Sequence, residues 1–468
     1  MFRRIPSAIV LCLFLAIVSI WAVAADKPIG LTRVEGLLQA LDASQEERRA
    51  FIAENFAPKR LEKNGGEDLI AFFDRLREDI GDEPPLSITP KPDRVEVRVA
   101  APSGDRMLLT VLLSPAPESK IAGFLLDADE PPPAPVAAVS EADLPDAIAE
   151  AMAERNTDFS GAVIVAKDGK PIFAQAYGFA DRAKQRRNTL DTPFNLASNN
   201  KMFTALVIAR LAEQGKLQYE DKVGRFLPDW PQADVRDKVS IAHLLNHSSG
   251  LGEFWGPKYA ERRGELDTVA EYAQLFSDEA PASTPGQEFR YSNNGYVLLG
   301  LIAERITGKD YYQLVRETVY GPAGMSRSEH YANADEGSGR AVGYLRDGEA
   351  NTGGLALRGS PAGGGYASAN DLLKFSAALQ AGRIVKPETL ARMTRGDIEM
   401  GPDMKYGFGF GVSEGKEKHY GHDGGAPGIN ASFEVFPESG YAVIVLSNLD
   451  RGSQATAQHL GSMILARR

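Results

Sequence analysis

The stretch from Phe194 to Glu213, FNLASNNKMFTALVIARLAE, constrains the fold of this chain more than any other. From Asn199 to Gln214 the residues favour helix, and Gly215 supplies a C-terminal stop. Met202, Phe203, Ala205, Leu206, Val207, Ile208, Leu211 and Ala212 leave so little polar face that this helix must be buried, and the fold must close around it. Lys201 nevertheless sits in its first turn. Burying a lysine is costly unless its charge is paired or lost, so the residue needs a reason. Ser198, three positions earlier, is the nearest one.

At i, i+3 spacing, Ser198 and Lys201 share a face. Ser198 lies at the helix N-terminus, where unpaired N–H groups and the positive end of the dipole favour an anion. A desolvated lysine gives up its proton readily and can then accept one from a hydroxyl. The pair reads as an activated nucleophile beside an oxyanion site. The bare tetrapeptide is a weak signal, since serine is an ordinary N-cap and Ser413–Lys416 repeats the spacing in a glycine-bearing turn.

Two partners follow in order. Tyr291-Ser292-Asn293 stands where an extended piece gives way to a second apolar helix; the phenol can relay protons, and the Asn293 amide can hold a substrate carbonyl. His422-Asp423-Gly424, followed by Gly425, lies at the lip of a C-terminal hairpin. Tyr331-Ala332-Asn333 and His419-Tyr420-Gly421 match the same patterns singly. The weight rests on all three fragments occurring in order, each with fitting flanks.

With those residues in view, the segment from about 143 to 468 resembles the serine β-lactamase and penicillin-binding family, most closely its class C and esterase-like branch. Ser198-Asn199-Asn200-Lys201 resembles the first family motif and Tyr291-Ser292-Asn293 the second. His422-Asp423-Gly424 stands where many members have Lys-Thr-Gly and this branch often has His-x-Gly. The stretches LAEQGKLQYEDKVGRFLP, IAHLLNHSSGL, YGPAGM and GGYASANDLLKF look like the family too. The resemblance implies an α/β (α+β) fold of β-lactamase/transpeptidase type: an antiparallel sheet flanked by helices, plus a helical region, with the site between them. It implies acylation of Ser198, general-base work shared by Lys201 and Tyr291, and an oxyanion hole from the backbone N–H groups of Ser198 and Gly425. Asn293, His422 and Gly424 would line the substrate side. Ala197 replaces the glycine often found before the nucleophile. Histidine in place of lysine in the third motif holds a substrate carboxylate less firmly, which points to esters or D-amino-acid peptides. A class C-like β-lactamase, a DD-carboxypeptidase and a non-turnover sensor or scaffold are the alternatives.

Before this segment the chain divides further. Residues 1–24 read as a signal peptide: MFRR, an apolar run, then Ala22-Val23-Ala24 before Ala25. A mature protein starting at Ala25 and exported to the periplasm or secreted is the expectation, with membrane attachment only if the leader is kept as an anchor. The single cysteine, Cys12, lies inside that leader, so thiolate chemistry, disulfides and cysteine metal sites are not expected of the mature chain. Residues 25–128 read as a small α+β domain: helical segments, then three adjacent antiparallel strands, DRVEVRVAA, RMLLTVLLS and KIAGFLLDA, vaguely similar to NTF2-like folds. A proline-rich linker spans 129–142, and the hydrolase-like domain runs from 143 to 468. Within it the hairpin GAVIVAKDGKPIFAQAYG turns at Asp168-Gly169, and NASFEVF and YAVIVLSN form strands near the other end.

Other classes fit less well. A net charge of −11 disfavours a nucleic-acid partner. Gly411-Val412-Ser413-Glu414-Gly415 matches the α/β-hydrolase elbow, but the glycine-rich, charged KEKHYGHDGG follows instead of a helix. His243 and His247 have zinc-ligand spacing without the glutamate of a metalloprotease, and read as structural support for the turn at Ser248-Ser249-Gly250. No metal or cofactor is called for; the expected partner is a small-molecule or peptide substrate.

Overall fold

The computed structural model describes residues 27–61, 67–101, 106–128, 138–155, 159–333, 336–345, 347–401, 403–450 and 452–467. The leader and most of the proline-rich linker lie outside these residues. The chain separates into two compact units, divided between Pro132 and Pro133.

In the first unit, four helices (Ile29–Ala40, Gln45–Asn55, Pro58–Leu61 and Glu67–Ile80) precede a four-stranded antiparallel sheet. Strict alternation sends Val95, Val97 and Val99 of the strand Arg94–Ala100 into the core, where they meet Leu109, Val111, Phe56 and Phe73. Three of the strands were legible from that period. The fourth, Ser87–Pro90, was not: it is short, bracketed by prolines, and exists because it pairs with Arg94–Ala100 at the sheet edge, where a proline is tolerated.

The second unit is built on an eight-stranded antiparallel sheet. In spatial order its strands are Ile398–Gly401, Met404–Tyr406, Gly411–Ser413, His419–Ala426, Ile429–Phe436, Tyr441–Ser447, Gly161–Lys167 and Lys170–Tyr177. The N-terminal hairpin thus pairs directly with the last strand, Gly161 opposite Ser447. Its turn takes φ of 50° at Asp168 and 73° at Gly169, the left-handed pair that a tight two-residue hairpin demands. Both faces are buried. Val163, Val165, Val443 and Val445 pack with residues of the helices Leu144–Arg155 and Ser453–Ala466. Ile164, Ile444, Ala431 and Phe433 face the helical region, which contains the helices Asn200–Glu213, Asn293–Thr307 and Ala369–Gln380.

The third motif and the far edge of the sheet depart from the sequence reading. His422, Asp423 and Gly424 do not cap a hairpin lip; they lie inside the strand His419–Ala426, paired with Phe433, Ser432 and Ala431. The strands from Ile398 to Ser413 also went unread, because segments of three or four residues with glycines carry no period and form only against a neighbour already in place.

Candidate active site

The apolar helix Asn200–Glu213 is buried along nearly its whole length, Lys201 included, at 0% exposure. Ser198 sits one turn earlier, on a 3₁₀ turn Ala197–Asn199. That turn starts from Ala197 with φ of 42°, a left-handed conformation costing a side-chain-bearing residue roughly 1 kcal/mol or more. The strain explains why glycine suits this position. Gly424, on the neighbouring strand, allows the turn to seat: a Cβ there would stand 2.2 Å from the Leu196 carbonyl oxygen and 3.0 Å from the Ser198 nitrogen.

Lys201 Nζ donates to Ser198 Oγ at 3.0 Å, to Asn293 Oδ1 at 2.6 Å and to the Ala362 carbonyl at 2.7 Å. It also lies 4.7 Å from the centroid of the Tyr291 ring. Burial drives its pKa down from 10.5 to about 7, although the nearby Glu253 carboxylate pulls it back upward. Tyr291 hydrogen-bonds Ser198, yet burial raises its phenol well above the ordinary value. At neutral pH the phenol therefore keeps its proton while the lysine is poised to lose one.

Asn293 begins the helix Asn293–Thr307, whose N-terminus is capped by Ser292 Oγ accepting from the Gly295 N–H at 2.9 Å. Its amide is engaged at both ends, the oxygen by Lys201 and one N–H by Glu253 Oε2. A substrate carbonyl could use only the remaining N–H. His422 is directed away from the substrate side. The 2.6 Å approach of Nδ1 to the Asp423 carbonyl puts the ring proton there, so Nε2 accepts from the Tyr406 hydroxyl at 2.8 Å. Desolvation and the Lys201 charge push its pKa down to about 3, so it carries no charge at neutral pH.

A cavity of about 720 Å³ opens in front of Ser198, lined by Tyr291, Asn293, Glu253, Gly425 and the aromatic rings of Phe254, Trp255, Tyr259 and Tyr272. His422 does not line it. The structure thus brings Ser198, Lys201, Tyr291 and Asn293 together, sets Gly424 beneath the serine turn, and leaves Gly425 at the cavity wall. Sequence reading missed Glu253, which sits in a loop without period, two residues past the motif-like stretch ending at Leu251. It also missed that His247 packs its ring 4.3 Å from that of Tyr291 and accepts the Ser292 N–H at Nδ1, 3.0 Å away. His243 instead accepts from the Ser240 N–H in a helix cap, so the two histidines serve separate structural contacts. Ser413 ends the strand Gly411–Ser413, which pairs with a neighbour on each side and leads into the strand His419–Ala426 with no helix after it, which excludes the elbow reading.

A family model described as Beta-lactamase matches residues 145–466. The chain belongs to the Beta-lactamase family. A penicillin-binding protein of Bacillus subtilis (strain 168) is 30% identical over 326 residues, 65% of this chain and 71% of its own. The crystal structure of a penicillin binding protein from Bacillus halodurans matches with a TM-score of 0.62 and 27% identity, covering 68% of this chain and 98% of that one. A D-amino acid amidase from Ochrobactrum anthropi SV3 shares the fold, with a TM-score of 0.56 and 24% identity over 69% of this chain and 98% of that one. The enzyme is a serine hydrolase of the Beta-lactamase family with the β-lactamase/transpeptidase fold, an antiparallel sheet flanked by helices.

Proposed function

We propose that this enzyme hydrolyses ester or amide substrates through an acyl-enzyme on Ser198. The observation that carries the reading is the fully buried Lys201 amine, 3.0 Å from Ser198 Oγ and with a pKa lowered to about 7. Neutral Lys201 takes the Ser198 proton as Oγ attacks the acyl carbon, and the carbonyl oxygen becomes an oxyanion beside the backbone N–H groups of Ser198 and Gly425. Tyr291, which retains its proton, passes it to the leaving group and is reprotonated from Lys201. Water then attacks the ester on Ser198 by the same route in reverse, releasing the acid.

Esters and amino-acyl amides suit the cavity better than penicillins. A carboxylate-bearing substrate needs a cation, and His422 is neutral and outside the cavity lining. The D-amino acid amidase among the structural relatives fits the same substrate range. The leader argues for work outside the cytoplasm, with a mature protein beginning at Ala25. A fluorophosphonate probe with a panel of p-nitrophenyl esters, amino-acid amides and nitrocefin tests the proposal. Labelling at Ser198 with ester or amide turnover is expected; absence of labelling refutes it, and labelling without turnover of any substrate makes the fold a sensor. Efficient nitrocefin hydrolysis with inert esters would make it a β-lactamase.

A further inference from the structure

Among the described residues lining the cavity, Glu253 is the only acidic or basic side chain. The others are aromatic, aliphatic, amide, hydroxyl or glycine. Its carboxylate takes the Asn293 side-chain N–H on Oε2 and the Asn293 backbone N–H on Oε1, at 3.4 Å for the latter, which leaves lone pairs on both oxygens unused. Asn293 connects it to Lys201, and Lys201 to Ser198, so two side chains link the carboxylate to the nucleophile, and Glu253 and Ser198 line the same cavity. Directly after it in the chain an aromatic wall begins. The Phe254 ring lies 4.5 Å from Trp255 and 5.3 Å from Tyr272, and Trp255 lies 4.6 Å from Tyr259. A carboxylate beside electron-rich ring faces is a receptor for a cation.

We propose that Glu253 and this wall form a subsite for an ammonium group close to the scissile carbonyl, so that the preferred acyl donors are amino-acyl esters and amides. The inference rests on the acylation of Ser198 proposed above. It also gives the substrate a part in the chemistry. Free Glu253 holds the Lys201 pKa up; an ammonium bound to the carboxylate offsets that charge and favours the neutral amine that the serine needs. Arg290 acts on Glu253 as well, more weakly than Lys201. The competing account is that Glu253 only orients Asn293, in which case it affects every substrate alike.

Glu253→Gln separates the two, since the glutamine carbonyl still accepts from the Asn293 side-chain N–H while the charge is gone. The full chain and the variant are assayed with D- and L-alanine benzyl ester and with benzyl propionate, which has the same acyl skeleton without the amine. The kcat/KM ratio of amino ester to propionate is expected to fall at least tenfold in the variant; intrinsic ester reactivity cancels between the two proteins. Binding is read without turnover by the fluorescence of Trp255. Benzylammonium is expected to bind the wild type at least tenfold tighter than benzyl alcohol, and the variant equally with it. Ester turnover with an unchanged ratio and no preference for benzylammonium overturns the subsite and leaves the hydrolase reading intact. Selective benzylammonium binding without ester turnover by the wild type keeps the subsite and overturns the hydrolase reading.

Discussion

Glu253 and Lys201 are coupled through one amide, and that coupling has a measurable sign. Glu253→Gln removes a negative charge that raises the lysine pKa, so the acid limb of kcat/KM should move to lower pH. Spanned by the Asn293 side chain, the two charges stand roughly 6 to 7 Å apart, which at an effective dielectric of about 20 is worth roughly 2 to 3 kcal/mol. That is about two pKa units at most, and solvent in the cavity screens it, so a shift of about one unit is expected. The assay is kcat/KM for a neutral short-chain p-nitrophenyl ester between pH 5 and 9. In the wild type the rate should climb through about pH 7 as Lys201 loses its proton. In the variant the same climb should be complete at lower pH. A limb that does not move, or moves upward, would refute the assignment: either Glu253 is protonated in the working enzyme or another group is the base. The lysine itself illustrates what the site costs, since a drop from 10.5 to about 7 corresponds to roughly 5 kcal/mol favouring the neutral amine.

Other outcomes follow from the same geometry. Ser198→Ala should abolish ester hydrolysis with an unchanged circular dichroism spectrum, whereas Ser413→Ala, in a short paired strand, should leave the rate within about twofold; a dead Ser413 variant would reopen the elbow reading. Ala197→Gly relieves a φ of 42° and should stabilise the fold by about 0.5 to 1 kcal/mol in urea unfolding, and a loss larger than about 1 kcal/mol would show that the turn is not strained. Tyr291→Phe should lower kcat far more than it raises KM, because the phenol is assigned to proton transfer; a change in KM alone would restrict Tyr291 to binding. A chain beginning at Ala138, which keeps the helix Leu144–Arg155, should still label with a fluorophosphonate; a folded but unreactive product would show that the N-terminal unit completes the site.

Sequence alone determined which residues could be reactive and what they had to be embedded in. A helix apolar on every side must be buried, so Lys201 had to be buried, and a lysine that cannot keep its charge is a base. Alternating valines fixed the faces of the strand Arg94–Ala100, and Asp168-Gly169 fixed the turn between Gly161–Lys167 and Lys170–Tyr177, because both are local properties of the chain. Tertiary structure decided everything that depended on distance between segments. Short strands such as Gly411–Ser413 form only beside a partner. Glu253 became part of the site because a loop without period brings its carboxylate onto Asn293, and His422 turned to Tyr406 because strand pairing leaves its ring beside that hydroxyl. The pKa values divide the same way. Residue type sets 10.5 for a lysine and 6.5 for a histidine, but desolvation and neighbouring charge, which only the folded chain supplies, bring them to about 7 and about 3.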